Sequence, residues 1–161
     1  MDLRDSHLFL AYLPFLTSTS FARRSLDDLR DFRVSWEIFE EALQRCIDHW
    51  TKVGSKSSCR KLRPIEKKFV KARLSSEELR NDMVTFDHFN EFCKWWSPSL
   101  KTLITLSSEW QCEQPLLLHG FVGRSESEKT LKAQSVGTFL IRLSESKPGW
   151  LAITFNDSKK R

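Results

Sequence analysis

An arginine stands in the middle of an apolar segment near the C-terminal end of the sequence, at Arg142 in GTFLIRLSES (residues 137–146). In an extended strand successive side chains point to opposite faces, so Phe139, Ile141 and Leu143 share one face and Arg142 lies on the other beside Ser144. Arginine is rarely buried without a partner. The Arg142 side chain therefore needs a negatively charged partner, either a carboxylate of the protein or a ligand anion.

A Ser-rich turn, SESKPG at residues 144–149, follows the arginine, and residues 150–155 alternate as a second, paired strand. The turn offers hydroxyls, backbone N–H groups and the cation of Lys147, which together suit a phosphate. The alternative is a strand arginine that pairs with a core carboxylate such as Glu145. Both interpretations stay open on the residues alone.

The pattern G-T-F-L-x-R-x-S resembles the phosphotyrosine pocket of SH2 (Src-homology 2) domains, and the form GTFLIRLSES is closest to the STAT family of signal transducers and activators of transcription. The resemblance continues upstream through residues 110–136, which look like the end of the STAT linker and the first SH2 helix. Residues 86–110 are similar to the all-helical linker, and before about residue 80 we find no convincing match. A STAT-like SH2 protein of a non-animal lineage is one form that such a chain can take.

The resemblance implies a phosphotyrosine-binding module. Arg142 falls at the phosphate-gripping arginine, and Arg124 falls where the family has a lysine that also contacts the phosphate. We expect a bidentate clamp by Arg142, a second cation from Arg124, and hydroxyl or N–H donors from Ser144, Glu145 and Ser146. The implied partner is a tyrosine-phosphorylated peptide or protein in the cytoplasm, the nucleus or both, with no cofactor, no metal, no specific nucleic acid and no membrane.

The expected fold class is α+β, with a helical linker-like region followed by the first half of an SH2 domain, a helix and then antiparallel strands. We divide the chain into an unassigned segment (residues 1–24), a helical linker-like domain (25–115) and a partial SH2 domain (116–161). A complete SH2 domain would continue with further strands and a second helix. The second strand is therefore expected to have one open edge.

Helical spacing and capping patterns predict the first helices upstream. Ser25 can begin a short helix to Asp31, and a basic helix is expected at residues 64–73. Ser75 with Glu78 forms a capping-box pattern for another. From about Ser35 an apolar stripe of one further helix, interrupted at residues 54–58, comprises Phe39, Leu43, Cys46, Ile47 and Trp50.

A second apolar stripe is expected to end at Ser97 and Pro98, with a separate helix at residues 99–110. Ser125 and Glu128 form a further capping box for a helix that ends near Ala133. Such stripes predict core packing rather than a cofactor site. The second stripe comprises Phe86, Phe89, Phe92, Cys93 and Trp96.

The cysteines and histidines predict neither a disulfide framework nor an active site. The cysteines lie far apart in sequence, which favours free thiols in a reducing compartment. Cys46, His49 and Cys59 are close, but no second ligand pair completes a tetrahedral zinc site. The histidines are scattered without an adjacent nucleophile or acid, so we expect no enzyme. The remaining members of the two sets are Cys93, Cys112, His7, His88 and His119.

Charge and hydropathy leave other classes of function to weigh. The balance of 26 basic against 21 acidic residues, a net charge of +5, is too mild to establish nucleic-acid binding. Residues 52–73 hold nine Lys or Arg against the single acid Glu66, so a DNA-associated transcription-regulator fragment remains one alternative. A helical scaffold whose SH2 segment no longer binds phosphotyrosine is another. Residues 8–16 could form a signal-peptide core, but no clear cleavage site follows.

Overall fold

The computed structural model describes residues 33–52, 59–74 and 82–157. Within these ranges the chain forms helices first and a helix with antiparallel strands last, which confirms the predicted α+β class. Four predicted features lie outside the described residues: the helix from Ser25 to Asp31, the interruption at residues 54–58, the capping box at Ser75 and the apolar residues 8–16. The elements are β1 (Arg33–Ser35), α1 (Trp36–Thr51), α2 (Pro64–Leu74), β2 (Met83–Thr85), α3 (Phe86–Thr105), α4 (Ser107–Gln111), α5 (Arg124–Lys132), β3 (Phe139–Leu143) and β4 (Leu151–Phe155).

Helix α1 begins where expected, because the Ser35 hydroxyl accepts a hydrogen bond from the N–H of Ile38 at 3.5 Å. Its predicted stripe is buried with one exception, Trp50, whose side chain is 45% exposed. Trp50 lies in the last turn and packs edge-on against the neighbouring His49. Thr51 is buried there instead, since its hydroxyl donates to the carbonyl of Ile47 and it accepts from the Gln111 amide.

Helix α3 does not end at Ser97 and Pro98, and the expected break there is wrong. An internal proline costs a helix about 3 kcal/mol. Burying large apolar side chains recovers about 1.5–3 kcal/mol for each one, and α3 buries Trp95 and Trp96 before the proline and Leu100 and Leu103 after it. Packing therefore outweighs the proline, and the separate helix that we expected starts only at Ser107.

The short strands β1 and β2 pair in antiparallel register, with Val34 opposite Val84. They were not predicted, because three residues are too few for a period-two pattern. Thr85 at the end of β2 caps α3 reciprocally with His88, each side chain accepting from the backbone N–H of the other. This ribbon brings the beginnings of α1 and α3 together.

One aromatic core joins the helices to the segment that precedes α5. Phe121 lies at this junction, with ring centroids 5.7 Å from Trp95, 5.3 Å from Trp96 and 5.8 Å from Trp110. The buried carboxylate of Glu66 accepts a hydrogen bond from the guanidinium of Arg60 at 2.7 Å. Cys46 is also buried, which raises the pKa of its thiol to about 12. In the described residues none of the four cysteines forms a disulfide.

Strands β3 and β4 form a hairpin that pairs Arg142 with Ala152 and Ile141 with Ile153. On the other side of β3, the N–H of His119 donates to Ile141 and the carbonyl of Gly120 accepts from Leu143. Helix α5 packs against both strands. No helix in the described part of the chain has the length and apolarity to cross a membrane.

The predicted capping box at Ser125 is wrong. Helix α5 begins two residues earlier than expected, at Arg124, with Gly123 as its N-cap residue, so Ser125 lies inside the first turn. The carboxylate of Glu145, which is distant in sequence, accepts from the Arg124 N–H at 3.2 Å instead. A partner from the β3–β4 loop thus replaces the local cap, because the fold brings this carboxylate to the helix end.

Candidate phosphate-binding site

The Arg142 side chain lies on the face of β3 that packs towards α5, as the period-two pattern predicts. Its residue exposure is only 6%. The guanidinium donates to the Thr154 hydroxyl at 3.4 Å and to the carbonyls of Val122 and Leu143 at 3.5 and 3.3 Å. All three contacts are long and all three acceptors are neutral. Within the residues that the structure describes, no carboxylate lies at ion-pair distance from Arg142.

Burial lowers the pKa of Arg142 below the usual value for arginine, because water no longer solvates the charge fully. The carboxylates of Glu145 and Glu128 oppose this shift, and the nearby Arg124 adds to it. The side chain remains a cation at neutral pH, since arginine retains its proton in proteins. The site therefore holds a partly desolvated positive charge.

Arg124 is the first residue of α5 and is exposed. Its Nε donates to the carboxylate of Glu128 one turn later at 2.9 Å, and this ion pair raises the pKa of Arg124. Arg124 and Arg142 open on the same cavity of about 430 Å³. The cavity is lined by Arg124, Glu128, Leu131, Lys132, Arg142, Ile153, Thr154, Phe155, Asn156 and Asp157.

The three predicted loop residues lie beside this cavity but do not line it. Ser144 is buried, and its hydroxyl accepts from the N–H of Lys147 at 3.1 Å. Glu145 is exposed and holds the backbone of Arg124, as described above. Ser146 is exposed as well. The structure thus brings the two arginines together, connects Glu145 to one of them and leaves Ser144 and Ser146 further out.

Sequence reasoning missed five polar residues of the cavity: Glu128, Lys132, Thr154, Asn156 and Asp157. Thr154 lies opposite Leu140 in the hairpin, diagonally next to Arg142. Alternation along β4 could have placed it on the same face as Arg142, but only with the register known. Lys132 and Asn156 carry no local signal, because their place depends on how α5 packs against β4.

The arrangement has the properties of an anion-binding cavity, because its three cations, Arg124, Lys132 and Arg142, outnumber its two carboxylates, Glu128 and Asp157. A buried guanidinium supplies a planar fork with several N–H donors, and a second guanidinium stands at the rim. The Thr154 hydroxyl and the Lys132 ammonium add a neutral donor and a further positive charge. Phosphate oxygens match such donors well.

Comparison with known proteins agrees with this chemistry. Residues 117–161 match the family model of the SH2 domain. The chain is 28% identical over 125 residues to "Signal transducer and activator of transcription A" of Dictyostelium discoideum, an alignment that covers 76% of this chain and 17% of that protein. It is 29% identical over 127 residues to "Signal transducer and activator of transcription B" of the same organism, covering 77% of this chain and 10% of that protein.

The C-terminal part of the chain is therefore an SH2 segment, and most of the chain is distantly similar to STAT proteins of Dictyostelium. Both relatives are named as signal transducers and activators of transcription, which agrees with the expectation of a signalling protein rather than an enzyme. Because the alignments cover about three quarters of the chain, they include residues before residue 80. The expectation of no match in that region is wrong. The chain spans less than a fifth of either relative.

Proposed function

We propose that this chain binds tyrosine-phosphorylated peptides or proteins, with Arg142 as a bidentate clamp on the phosphate and Arg124 as a second cation. Such a role fits the SH2 segment and the likeness to signal transducers. The proposal keeps the division into a helical linker-like domain at residues 25–115 and a partial SH2 domain at residues 116–161. It places the protein in the cytoplasm, the nucleus or both.

The observation that carries the proposal is the unbalanced charge of Arg142. Arg142 is a buried residue whose guanidinium, within the described part of the chain, has only neutral acceptors at 3.3–3.5 Å, and such a charge is costly for a fold to maintain. A phosphate entering the adjoining cavity would supply the missing negative charge and two acceptor oxygens in the plane of the fork. The attraction between the phosphate and Arg142 would then offset the free-energy cost of burying this charge and would favour binding.

Arg124 is expected to contribute less than Arg142. Its side chain is exposed and already paired with Glu128, so a ligand has to compete with that carboxylate and with water. Its position at the rim is still useful, because a phosphate held by Arg142 would lie between two guanidinium groups. Arg124 would therefore attract the phosphate by its charge more than it would bind the phosphate through close hydrogen bonds.

The loop that carries Ser144, Glu145 and Ser146 supports the proposal through its backbone. In the described part of the chain, the N–H groups of Glu145 and Ser146 have no hydrogen-bond acceptor. Successive free N–H groups in a turn favour anions. We propose that these amides, with the Ser144 and Ser146 hydroxyls, complete the donors around the phosphate.

The DNA-associated alternative receives little support from the basic residues 59–74. Most of these side chains are in ion pairs: Arg60 and Arg63 with Glu66, Lys61 with Asp48, Lys67 with Glu40 and Lys71 with Asp82. Their charges stabilise the helical packing and are partly neutralised. A surface that captures DNA phosphates needs cations that can exchange their counterions.

Binding to immobilised phosphotyrosine tests the proposal and separates it from the scaffold alternative. The wild-type chain should be retained and then eluted by phenyl phosphate, and Arg142→Ala should pass through while keeping the helical circular dichroism of the wild type. Unphosphorylated tyrosine on the same matrix is the control ligand. Equal retention of both proteins would remove Arg142 from the mechanism, and no retention of the wild type would favour the scaffold.

A further inference from the structure

The loop between β3 and β4, residues 144–149, is attached to the helical part of the chain by its carbonyl groups. The indole N–H of Trp95 donates to the Ser144 carbonyl at 3.3 Å. The hydroxyl of Thr102, two turns further along α3, donates to the Gly149 carbonyl at 2.6 Å. Arg73 at the end of α2 donates to the Glu145 carbonyl. Three carbonyls of one short loop thus face donors on two helices.

The close approach of Gly149 to Pro98 makes this attachment specific. Gly149 has φ 78°, and a Cβ atom there would lie 3.0 Å from the Pro98 Cβ and 3.1 Å from the Pro98 carbonyl oxygen. Only glycine combines such a backbone conformation with such a contact. Both ends of the loop therefore rest on α3, one at Trp95 and the other at Pro98 and Thr102.

We infer that Trp95 and Thr102 are positioning residues for phosphate binding: they fasten the two ends of the loop to α3, at the Ser144 and Gly149 carbonyls, so that the free amides of the loop can face the ligand. The inference rests on the proposed function, since it concerns the same phosphate site. The carbonyl and N–H groups of a peptide unit point in opposite directions. Trp95 fixes the Ser144 carbonyl and Arg73 fixes the Glu145 carbonyl, which turns the N–H groups of Glu145 and Ser146 away from the helices. Thr102 acts at the other end of the loop, where it holds the Gly149 carbonyl and so keeps the loop closed against α3.

Neither side chain lines the cavity that holds Arg142. Trp95 is buried and lies beneath the guanidinium of Arg73, whose Cζ is 5.4 Å from the Trp95 ring centroid. Thr102 is partly buried and lies in the second half of α3. Their effect on the ligand would therefore pass through the loop, and the helical part would serve as a component of the phosphate site.

The test is a titration of the full chain with phenyl phosphate, a small analogue of the phosphotyrosine side chain. Thr102→Val keeps the shape of the side chain and removes the hydroxyl, and Trp95→Phe removes the indole N–H while keeping an aromatic ring. Each should weaken phenyl phosphate binding about three- to tenfold, the range expected for one lost hydrogen bond. Thr102→Ser restores the hydroxyl and should bind as tightly as the wild type.

Thr105→Val is the matched control, because the Thr105 hydroxyl donates only to the carbonyl of Lys101 within the same helix. It should leave binding unchanged. If Thr102→Val and Trp95→Phe bind like the wild type while Arg142→Ala loses binding, the positioning role is wrong and the proposed function stands. If the wild type itself does not bind phenyl phosphate, both fail. Weak binding in Thr102→Val that Thr102→Ser does not restore would also overturn the positioning role.

Discussion

Two arginines of this chain are buried to a similar degree and serve different purposes. Arg60 is 3% exposed, lies 2.7 Å from the carboxylate of Glu66 and also donates to the Leu118 carbonyl. Arg142 is 6% exposed and has only neutral acceptors. The first charge is balanced within the fold and stabilises the junction between helices and SH2 segment. The second has no carboxylate at ion-pair distance in the described part of the chain, which is why we propose that it binds an anion.

Replacing Arg142 by lysine tests whether the fork matters as well as the charge. Arg142→Lys keeps the positive charge but supplies a single ammonium, which cannot make two parallel bonds to a phosphate. Each such bond contributes about 1.5–3 kcal/mol, so affinity for a phosphotyrosine peptide should fall by more than about tenfold. Arg124→Lys at the exposed rim should change affinity far less. Calorimetric titration measures both, and an Arg142→Lys chain that binds like the wild type would contradict the clamp.

His119 is expected to make the fold less stable in mild acid. Burial and the neighbouring Arg63 and Arg60 lower the pKa of its imidazole in the folded chain. As pH falls through about 6.5, the unfolded imidazole binds a proton before the folded one does. The free energy of unfolding should therefore decrease below that pH.

Urea unfolding of the wild type and His119→Gln between pH 7.5 and pH 5.5 measures this effect. The variant should lose less stability over the interval than the wild type, because glutamine does not titrate. Identical losses in the two proteins would show that His119 is protonated equally in both states.

Sequence reasoning identified the residues of the site whose signal is local and missed those whose place depends on long-range packing. Arg142 and its loop follow from strand alternation and one turn. Arg124 came from the resemblance. Trp95 contacts the loop from 49 positions away, and no sequence pattern connects a tryptophan in one helix to a carbonyl in a distant turn.

At the level of elements, the predicted helices that lie in the described residues are close to their expected places, except the separate helix at residues 99–110, most of which belongs to α3. Helix α2 ends at Leu74, one residue beyond the prediction. Helix α3 continues through Pro98, because the burial of apolar side chains before and after the proline outweighs the free-energy cost of a proline inside a helix. Local signals thus located these elements, and tertiary packing decided where α3 ended.

The helix caps offer a matched pair of substitutions. Thr85 makes a reciprocal capping box with His88 at the start of α3. Ser125 matches the sequence pattern of a capping residue but does not lie at the N-cap position of α5. Thr85→Ala should lower the free energy of unfolding by about 1 kcal/mol, and Ser125→Ala should change it by less than about 0.5 kcal/mol. Denaturant titration of the two variants decides this. Equal losses would indicate that Ser125 acts as a cap after all.

At the scale of the whole molecule, the helices and the SH2 segment share one core and cannot be expected to fold independently. Gly120, on the segment before α5, has φ 67°, and a Cβ atom there would lie 2.2 Å from a carboxylate oxygen of Glu66 and 2.5 Å from the Trp110 ring. The buried pair of Glu66 and Arg60 thus packs directly under the SH2 segment. The proposed phosphate site adjoins this junction, which would give the helical part a role beyond spacing.

The distribution of charge leads to an expectation for nucleic acid. Since most basic side chains of residues 59–74 are paired with carboxylates, duplex DNA should bind weakly, without sequence preference, and less still as salt increases. Fluorescence anisotropy with several labelled duplexes at low and physiological salt measures this. A tight, sequence-selective complex at physiological salt would revive the DNA-associated alternative.

The outer edge of β4 gives the last prediction. In the described part of the chain β4 pairs with β3 alone. The N–H of Ser144 donates to the Trp150 carbonyl, and the N–H of Asn156 donates to the Thr138 carbonyl. The even-numbered residues of the two strands therefore form the hydrogen-bonded pairs. The amides of Leu151, Ile153 and Phe155 therefore point away from β3.

The side chains of these three residues are exposed as well, so the edge combines free backbone donors with an apolar surface, and such edges add strands from other chains. We expect the amides of Leu151, Ile153 and Phe155 to exchange with solvent much faster than those of Ala152 and Thr154, and faster than the cores of α1 and α3. Hydrogen exchange followed by NMR at several protein concentrations tests this, because protection that rises with concentration would reveal pairing between copies. Strong protection of all five amides at every concentration would mean that β4 is not an open edge.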